Sequence, residues 1–125
     1  FLDITGEELS GISVMEKEKL NTRETLFIEC YHHDILNVER PTETILYKVA
    51  LNKKWKLMLP NTKMIVREFT QPEEHYYGYY SNQPQLYDLQ NDPEEKVNLA
   101  KQYPDIVAML SNQINNWWQP IKHMN

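Results

Sequence analysis

The C-terminal part of the sequence contains an amphipathic segment that begins at Pro104 and stops before Pro120. Proline is favoured at the first position of a helix and disrupts helix interiors, so these two residues mark the limits of a predicted helix. Its apolar residues recur at helical spacing and form a single stripe, made of Ile106, Val107, Leu110, Ile114, Trp117 and Trp118. A helix with one apolar stripe must cover another layer, and this requirement constrains the fold more than any other feature of the sequence.

The covered layer is predicted from four short runs that are rich in β-branched and aromatic residues. These runs are Thr25–Tyr31, Thr44–Leu51, Trp55–Leu59 and Gln85–Leu89. The second and third runs are separated by a short turn at Asn52-Lys53, which makes them a predicted hairpin. We therefore predict an α+β fold, with an antiparallel sheet of about four strands and the C-terminal amphipathic helix packed on one face.

The length of 125 residues suits one domain, and no internal repeat divides it. Residues 1–22 are predicted to be a lead-in segment with one or two helical turns, residues 23–89 the sheet, and residues 90–125 a turn and the C-terminal helix. Met64–Phe69 is predicted to be either a further strand or an irregular excursion. After the last strand, Asp92 is expected to cap a short helical turn that begins at Pro93.

Charge and hydropathy argue against two classes of partner. Thirteen basic and eighteen acidic residues give a net charge of −5, which disfavours a nucleic-acid binder. The small basic cluster of Lys53, Lys54 and Lys56 is interpreted as the solvated tip of the hairpin. There is no run of about 18 apolar residues, so we predict no membrane span. The sequence shows no signal peptide and does not begin with Met, and we expect it to be a piece of a longer protein.

Common catalytic motifs are missing from the sequence. It contains no G-x-S-x-G, no phosphate-binding G-x-x-x-x-G-K-[ST], no C-x-x-C and no H-E-x-x-H. Cys30 is the single cysteine, which excludes an internal disulfide. It lies in the middle of a predicted strand, so we expect a buried small apolar side chain rather than a nucleophile.

The polar residues His32, His33 and Asp34 follow the first predicted strand. Neighbouring strand residues point to opposite faces, so the histidine pair is poorly placed to chelate one metal ion. Two interpretations stay open. The three residues are either a polar strand end or a loop that presents imidazole and carboxylate groups to an anionic or hydroxyl-rich ligand.

A second unusual segment is the run Tyr76-Tyr77-Gly78-Tyr79-Tyr80. It fits a hairpin tip with glycine at the turn, an aromatic platform for sugar rings, or a contact with a partner domain, since tyrosine is enriched at interfaces. The first of these is the simplest, and residue types alone do not rank the other two.

The stretch LYDLQNDPEEKVNLA, residues 86–100, resembles the C-terminal signature of the formylglycine-dependent sulfatases. That family writes L-Y-D-L-x-x-D-P-x-E-x-x-N-L-A at this place, and the fixed positions are matched here by Leu86, Tyr87, Asp88, Leu89, Asp92, Pro93, Glu95, Asn98, Leu99 and Ala100. Weaker similarity covers the segment that joins the family's catalytic domain to its C-terminal subdomain (Gly11, Ser13, Arg23, Glu24) and its hairpin (Tyr47, Trp55, Lys56, Leu57).

The resemblance implies a sulfatase C-terminal subdomain whose catalytic domain is absent from this sequence. The family's nucleophile arises from a Cys or Ser in a C/S-x-P-x-R motif, whereas Cys30 is followed by Tyr31-His32-His33. No cofactor is therefore expected in this chain, while the parent enzyme is expected to use formylglycine and Ca²⁺. The chain alone is expected to be inactive, to have the parent's catalytic domain as its partner, and to self-associate through the face that it exposes without that domain.

The resemblance also implies a sulfated carbohydrate as the substrate of the parent and an extracellular or periplasmic location. No catalytic or metal-binding residue is expected in this chain. The predicted substrate-lining residues are His32, His33 and Asp34, with Arg40 behind them, and Asn98 is expected to tie down backbone through its amide. Two alternatives remain: a stand-alone carbohydrate-binding or protein-interaction module that uses Tyr76–Tyr80 and His32–Asp34, and an unrelated hydrolase that uses His32 or His33.

Overall fold

The computed structural model describes residues 15–31, 41–62 and 81–117. In chain order, the elements within these residues are helix α1 (Lys17–Thr22), strand β1 (Leu26–Tyr31), a 3₁₀ turn (Pro41–Thr44), strand β2 (Ile45–Leu51), strand β3 (Trp55–Pro60), strand β4 (Gln85–Asp88) and helix α2 (Pro104–Trp117). In the described part of the predicted lead-in, residues 15–22, the structure contains the short helix α1. The predicted segment Met64–Phe69 lies outside the described residues, as does Trp118.

The four strands form one sheet in the order β1-β2-β3-β4, and each neighbouring pair is antiparallel. The predicted four-stranded antiparallel sheet is confirmed, with strand ends that differ from the predicted ones by a single residue. Strand β3 extends to Pro60, which pairs with Tyr47. Proline is tolerated here because β4 pairs only with residues 55–58 of β3, so the missing N–H of Pro60 removes no hydrogen bond to β4.

The hairpin between β2 and β3 is closed by Asn52 rather than by a glycine. Its side-chain Oδ1 accepts hydrogen bonds from the backbone N–H groups of Lys54 (2.9 Å) and Trp55 (2.7 Å), and its own N–H donates to the carbonyl of Trp55 (2.9 Å). An asparagine side chain can thus replace a backbone partner in a tight turn. The predicted hairpin is confirmed.

Helix α2 packs on one face of the sheet, as predicted. Its residues Leu110 and Ile114 are fully buried against Ala50 of β2, Leu57 of β3 and Leu86 of β4. Consecutive strands contribute one small and two large side chains, which lets the helix approach the sheet closely. Near the end of the helix, Trp117 stacks on Phe27 of β1, with ring centroids 5.0 Å apart. A hydrogen bond from Thr25 Oγ1 to Gln113 Oε1 (3.1 Å) also joins the residue before β1 to this helix.

A second apolar cluster is centred on β2 and contains Leu46, Tyr47 and Val49, with Cys30 and Met58 packed against it. Strand β2 is therefore buried on both faces, as its almost continuous apolar sequence indicates. Cys30 is half-buried in this cluster, less enclosed than expected. The hydroxyl of Tyr47 accepts a hydrogen bond from the N–H of Ser81 (3.0 Å) and lies 3.2 Å from its carbonyl oxygen, to which it donates.

Candidate functional site

The residues predicted to line a substrate pocket lie outside the part of the chain that the structure describes. They are His32, His33, Asp34 and Arg40, and the run Tyr76–Tyr80 lies outside it as well. Their roles stay predictions. The structure does describe the whole of the signature segment, residues 86–100, and the hairpin that it contacts.

Asp88 organises the turn that follows β4. Its side chain accepts hydrogen bonds from the N–H groups of Gln90 (3.1 Å) and Asn91 (3.3 Å) and from Nδ2 of Asn91 (2.9 Å). The Lys54 ammonium lies 3.7 Å away. The hydrogen bond from the Asn91 side chain is the main cause of a lowered pKa of Asp88, and the other donors and Lys54 add to it against the opposing effect of burial. Asp88 is therefore a buried structural carboxylate held in its ionised form.

The turn at Asp92-Pro93 differs from the predicted short helical turn. The N–H of Glu95 donates to the carbonyl of Asp92 (3.1 Å), which closes a single tight turn. The Asp92 carboxylate accepts a hydrogen bond from the N–H of Val97 (2.8 Å), two positions beyond Glu95. A helix cannot continue here because Glu95 has a φ of +56°, in the left-handed region. The prediction of a helical cap at Asp92 was wrong for this reason.

Glu95 joins the signature segment to the hairpin. Its two carboxylate oxygens lie 2.8 Å and 2.7 Å from Nζ of Lys56, and both groups are partly buried. A left-handed conformation costs a non-glycine residue about 1–2 kcal/mol. Here that conformation is accompanied by a two-oxygen contact with Lys56, which fixes the turn against β3. The pair therefore gives a structural reason for a glutamate at this position of the signature.

Tyr87 lies beside this ion pair, directly across from Lys56 in the β3–β4 register. It is almost fully buried. Burial raises the pKa of the Tyr87 phenol, and the nearby carboxylates of Glu95 and Asp92 raise it further because they oppose a second negative charge. Tyr87 is thus held neutral as a packing residue and is not poised as a general base.

Asn98 ties the chain to β4 through both ends of its amide. Its Oδ1 accepts hydrogen bonds from the N–H groups of Leu86 (3.1 Å) and Ala100 (3.0 Å), and its Nδ2 donates to the carbonyl of Pro84 (3.2 Å). The N–H of Leu99 donates to the carbonyl of Leu86 (2.8 Å). The segment therefore satisfies the free edge of β4, and the predicted role of Asn98 is confirmed.

A groove with a volume of about 550 Å³ lies between the end of α1 and the hairpin turn. It is open to solvent and is lined by residues 21–24 on one side and residues 52–55 on the other. Three of these residues are cationic at neutral pH, namely Arg23, Lys53 and Lys54, whereas Glu24 is the single carboxylate among them. The arrangement can attract an anion, and it contains no paired acid and base that would perform hydrolysis.

One wall of the groove is held in place by Trp55. Its ring packs against Tyr103, with centroids 5.3 Å apart, and Nζ of Lys54 lies over the Trp55 ring, 4.7 Å from its centroid. The side chain also joins the cluster beneath helix α2. Trp55 is therefore positioned by packing against the core and not by the hairpin turn alone.

The basic cluster predicted at the hairpin tip is divided in the structure. Lys53 and Lys54 line the groove, whereas Lys56 bonds Glu95. The alternation of side chains along a strand could have predicted this division. Lys56 follows Trp55 in β3 and therefore points to the opposite face of the sheet. Sequence reasoning did not identify Arg23 or Trp55 as groove residues, since nothing local indicates that α1 lies beside the hairpin.

Within residues 15–31, 41–62 and 81–117, no three His, Cys, Asp or Glu side chains are grouped to hold a metal ion. In the same ranges, no helix is long and apolar enough to cross a membrane. Cys30 does not fit the formylglycine motif by sequence, so no catalytic step is assigned to it.

Comparison with known proteins relates part of the chain to a sulfatase. No protein-family model matches the sequence. A segment of 63 residues, 50% of this chain, is 38% identical to the N-acetylgalactosamine-6-O-sulfatase of Bacteroides thetaiotaomicron. The chain covers 12% of the length of that enzyme. Half of this chain is thus a sulfatase-like segment that corresponds to a small part of a much larger protein.

A solved structure from work on the metabolism of multiple glycosaminoglycans by Bacteroides thetaiotaomicron is also similar. The two proteins are 31% identical in sequence over a match that covers 56% of this chain and 14% of the chain in that structure. The TM-score of the match is 0.42. A TM-score of this size does not establish a shared fold.

Proposed function

We propose that this chain is the C-terminal subdomain of a formylglycine-dependent sulfatase, a sulfuric ester hydrolase. The observation that carries the proposal is the 38% identity over 63 residues to a sulfatase of which the chain covers only 12%. The signature at residues 86–100 supports it, because its residues form one connected turn rather than a scattered match.

The role of the subdomain in the parent enzyme is structural support. Asp88, Glu95 and Asn98 each bind backbone or a neighbouring strand, and none is arranged to attack a sulfate ester. The formylglycine and the Ca²⁺ that such enzymes use belong to the catalytic domain, which is the proposed partner within the same polypeptide. The chain by itself is accordingly inactive in this proposal.

The parent substrate in this proposal is a sulfated carbohydrate, and the parent is an exported enzyme, extracellular or periplasmic. The name of the related sulfatase, which specifies a 6-O-sulfated amino sugar, supports that substrate class. His32, His33, Asp34 and Arg40 are the proposed substrate-lining residues. Their imidazole and guanidinium groups suit hydrogen bonding to sulfate oxygens.

The test of the proposed function uses the purified 125-residue chain and the longer protein that contains it. With an aryl sulfate and Ca²⁺, the chain should show no turnover above buffer, and the longer protein should hydrolyse the ester. Turnover by the chain alone, or a longer protein with no C/S-x-P-x-R motif upstream of Phe1, would contradict the proposal.

The substrate-lining role has its own test in the longer protein. His33→Ala should raise KM for a sulfated oligosaccharide several-fold, because one donor to the substrate is removed. Lys101→Ala is the matched control, since Lys101 is exposed and lies in the turn before α2. Equal kcat and KM for His33→Ala and the unmodified enzyme would contradict the proposed substrate-lining role of His33. The alternative of a stand-alone binding module is not favoured by similarity to an enzyme segment.

A further inference from the structure

The groove between α1 and the hairpin brings three cationic side chains around a concave surface. Arg23 approaches from the segment after α1, and Lys53 and Lys54 approach from the hairpin turn. The chain as a whole carries a net charge of −5, so this patch opposes the overall charge. A local reversal of charge in a concave surface concentrates anions there.

The groove also has the dimensions and the polar groups of a small-molecule site. Its volume of about 550 Å³ falls in the usual range of roughly 300–1,000 Å³ for ligand pockets. Asn21 and Asn52 contribute amides, and Trp55 contributes an aromatic wall that the core holds in place. A ligand that matches this set has several anionic oxygens, hydroxyl groups and an apolar ring face.

We propose that this groove binds the sulfate groups of an anionic saccharide. The cationic side chains contact sulfate oxygens, and the amides and Trp55 contact the sugar. Only the choice of sulfate over another anion rests on the proposed function. A saccharide is favoured over nucleic acid because the cationic patch is small and the chain is acidic, whereas nucleic-acid binding needs a long cationic track.

Lys54 contacts both the groove and the turn that Asp88 organises. Its ammonium lies 3.7 Å from the Asp88 carboxylate and over the Trp55 ring. Replacing Lys54 would disturb that turn as well as the groove. Arg23 and Lys53 are therefore the better positions for a test, with Lys53, an exposed residue, as the safer of the two.

The experiment measures binding of sucrose octasulfate to the purified 125-residue chain by calorimetry, with sucrose as the uncharged probe. We expect sucrose octasulfate to bind at least about tenfold more tightly than sucrose. Affinity should fall when salt is raised from about 50 mM to about 200 mM, because exposed charges are screened. Lys53→Gln should weaken binding severalfold, and Arg23→Gln combined with Lys53→Gln should weaken it about tenfold or more.

Lys101→Gln makes the same charge change outside the groove and should alter affinity less than about twofold. Circular dichroism melting verifies that each variant folds. If the double variant does not fold, the comparison of Lys53→Gln with Lys101→Gln tests the proposal. Equal binding of sucrose, equal losses in Lys53→Gln and Lys101→Gln, or tighter binding of a short single-stranded oligonucleotide would overturn the proposal. Because no turnover is measured, this outcome is independent of the sulfatase assay.

Discussion

At the scale of single residues, Asn98 shows how one amide can complete a sheet edge. Replacing it with alanine removes the acceptor for the N–H groups of Leu86 and Ala100 and the donor to Pro84. Leu86 is fully buried, so its N–H loses its partner away from water. We expect Asn98→Ala to lower the free energy of unfolding by about 1–3 kcal/mol in urea titrations.

The matched control for Asn98 is aspartate, which keeps the two acceptor contacts and loses the donation to Pro84. Asn98→Asp should therefore cost less than Asn98→Ala. An alanine variant as stable as the unmodified chain would show that water replaces the amide without cost.

Glu95 provides a test of backbone strain, because its φ is +56°. Glycine adopts this conformation freely and alanine does not, whereas both remove the contact with Lys56. We expect Glu95→Gly to be more stable than Glu95→Ala by up to about 1–2 kcal/mol, the reverse of the usual order outside turns. Urea unfolding of the two variants measures the difference. A more stable alanine variant would mean that the turn changes conformation once Lys56 is released.

The ionisation of Asp88 should make the free energy of unfolding depend on pH in the acid range. Its pKa is lowered in the folded chain, mainly by the side chain of Asn91, so ionised Asp88 favours folding. That contribution is fully present above the unfolded-state pKa of about 3.9 and is lost as pH falls through the lower folded-state value. The unmodified chain should therefore lose stability on acidification below about pH 4 more steeply than Asp88→Asn.

Urea unfolding at several pH values measures the effect of Asp88. Glu94→Gln is the control, because Glu94 is exposed and pairs with the exposed Lys96. It should retain the steep acid dependence. Parallel pH profiles for Asp88→Asn and the unmodified chain would assign the dependence to other groups.

At the scale of elements, helix α2 is held by its apolar stripe. Leu110 is fully buried, whereas the adjacent Met109 is 43% exposed. We expect Leu110→Ala to destabilise the fold by about 2–5 kcal/mol, because it removes buried methyl groups and leaves a cavity against the sheet. Met109→Ala should change stability by about 0.5 kcal/mol or less. Thermal or urea unfolding measures the stability of the two variants. Equal losses of stability would mean that a different face of α2 packs on the sheet.

The hairpin and the signature segment illustrate the relation between sequence and element. Four strands, their antiparallel pairing and the covering helix were predictable because periodicity and turn residues are local signals. The turn at Asp92-Pro93 was not, because the left-handed conformation of Glu95 accompanies a contact with Lys56, 39 positions earlier in the chain. Local rules favour a helical turn there, and a distant partner overrides them.

At the scale of the whole molecule, β1 has an apolar outer side. Leu26 and Ile28 alternate along this strand and are 40% and 41% exposed. If the chain is the proposed subdomain of a larger enzyme, this apolar surface would contact the catalytic domain there. We expect the isolated chain to self-associate with increasing concentration, because edge strands and apolar patches pair readily.

Light scattering across an approximately tenfold concentration range tests this expectation about association. Ile28→Lys should lower the average mass, since a lysine on an edge strand opposes pairing. Val97→Lys is the control, because Val97 is exposed in the signature segment and not in β1. A constant monomer mass, or equal effects of the two lysines, would contradict the prediction.

The sequence by itself determined the class of fold, the hairpin, the apolar face of α2 and the role of Asn98. The first three depend on spacing within a few residues, and the role of Asn98 followed from the resemblance of residues 86–100 and from the tendency of an asparagine amide to bind backbone. Only the tertiary structure decided that Lys56 binds Glu95 while Lys53 and Lys54 line a groove with Arg23. Those contacts join segments about thirty or more positions apart, and pairings over such distances follow from how the layers pack rather than from any local pattern.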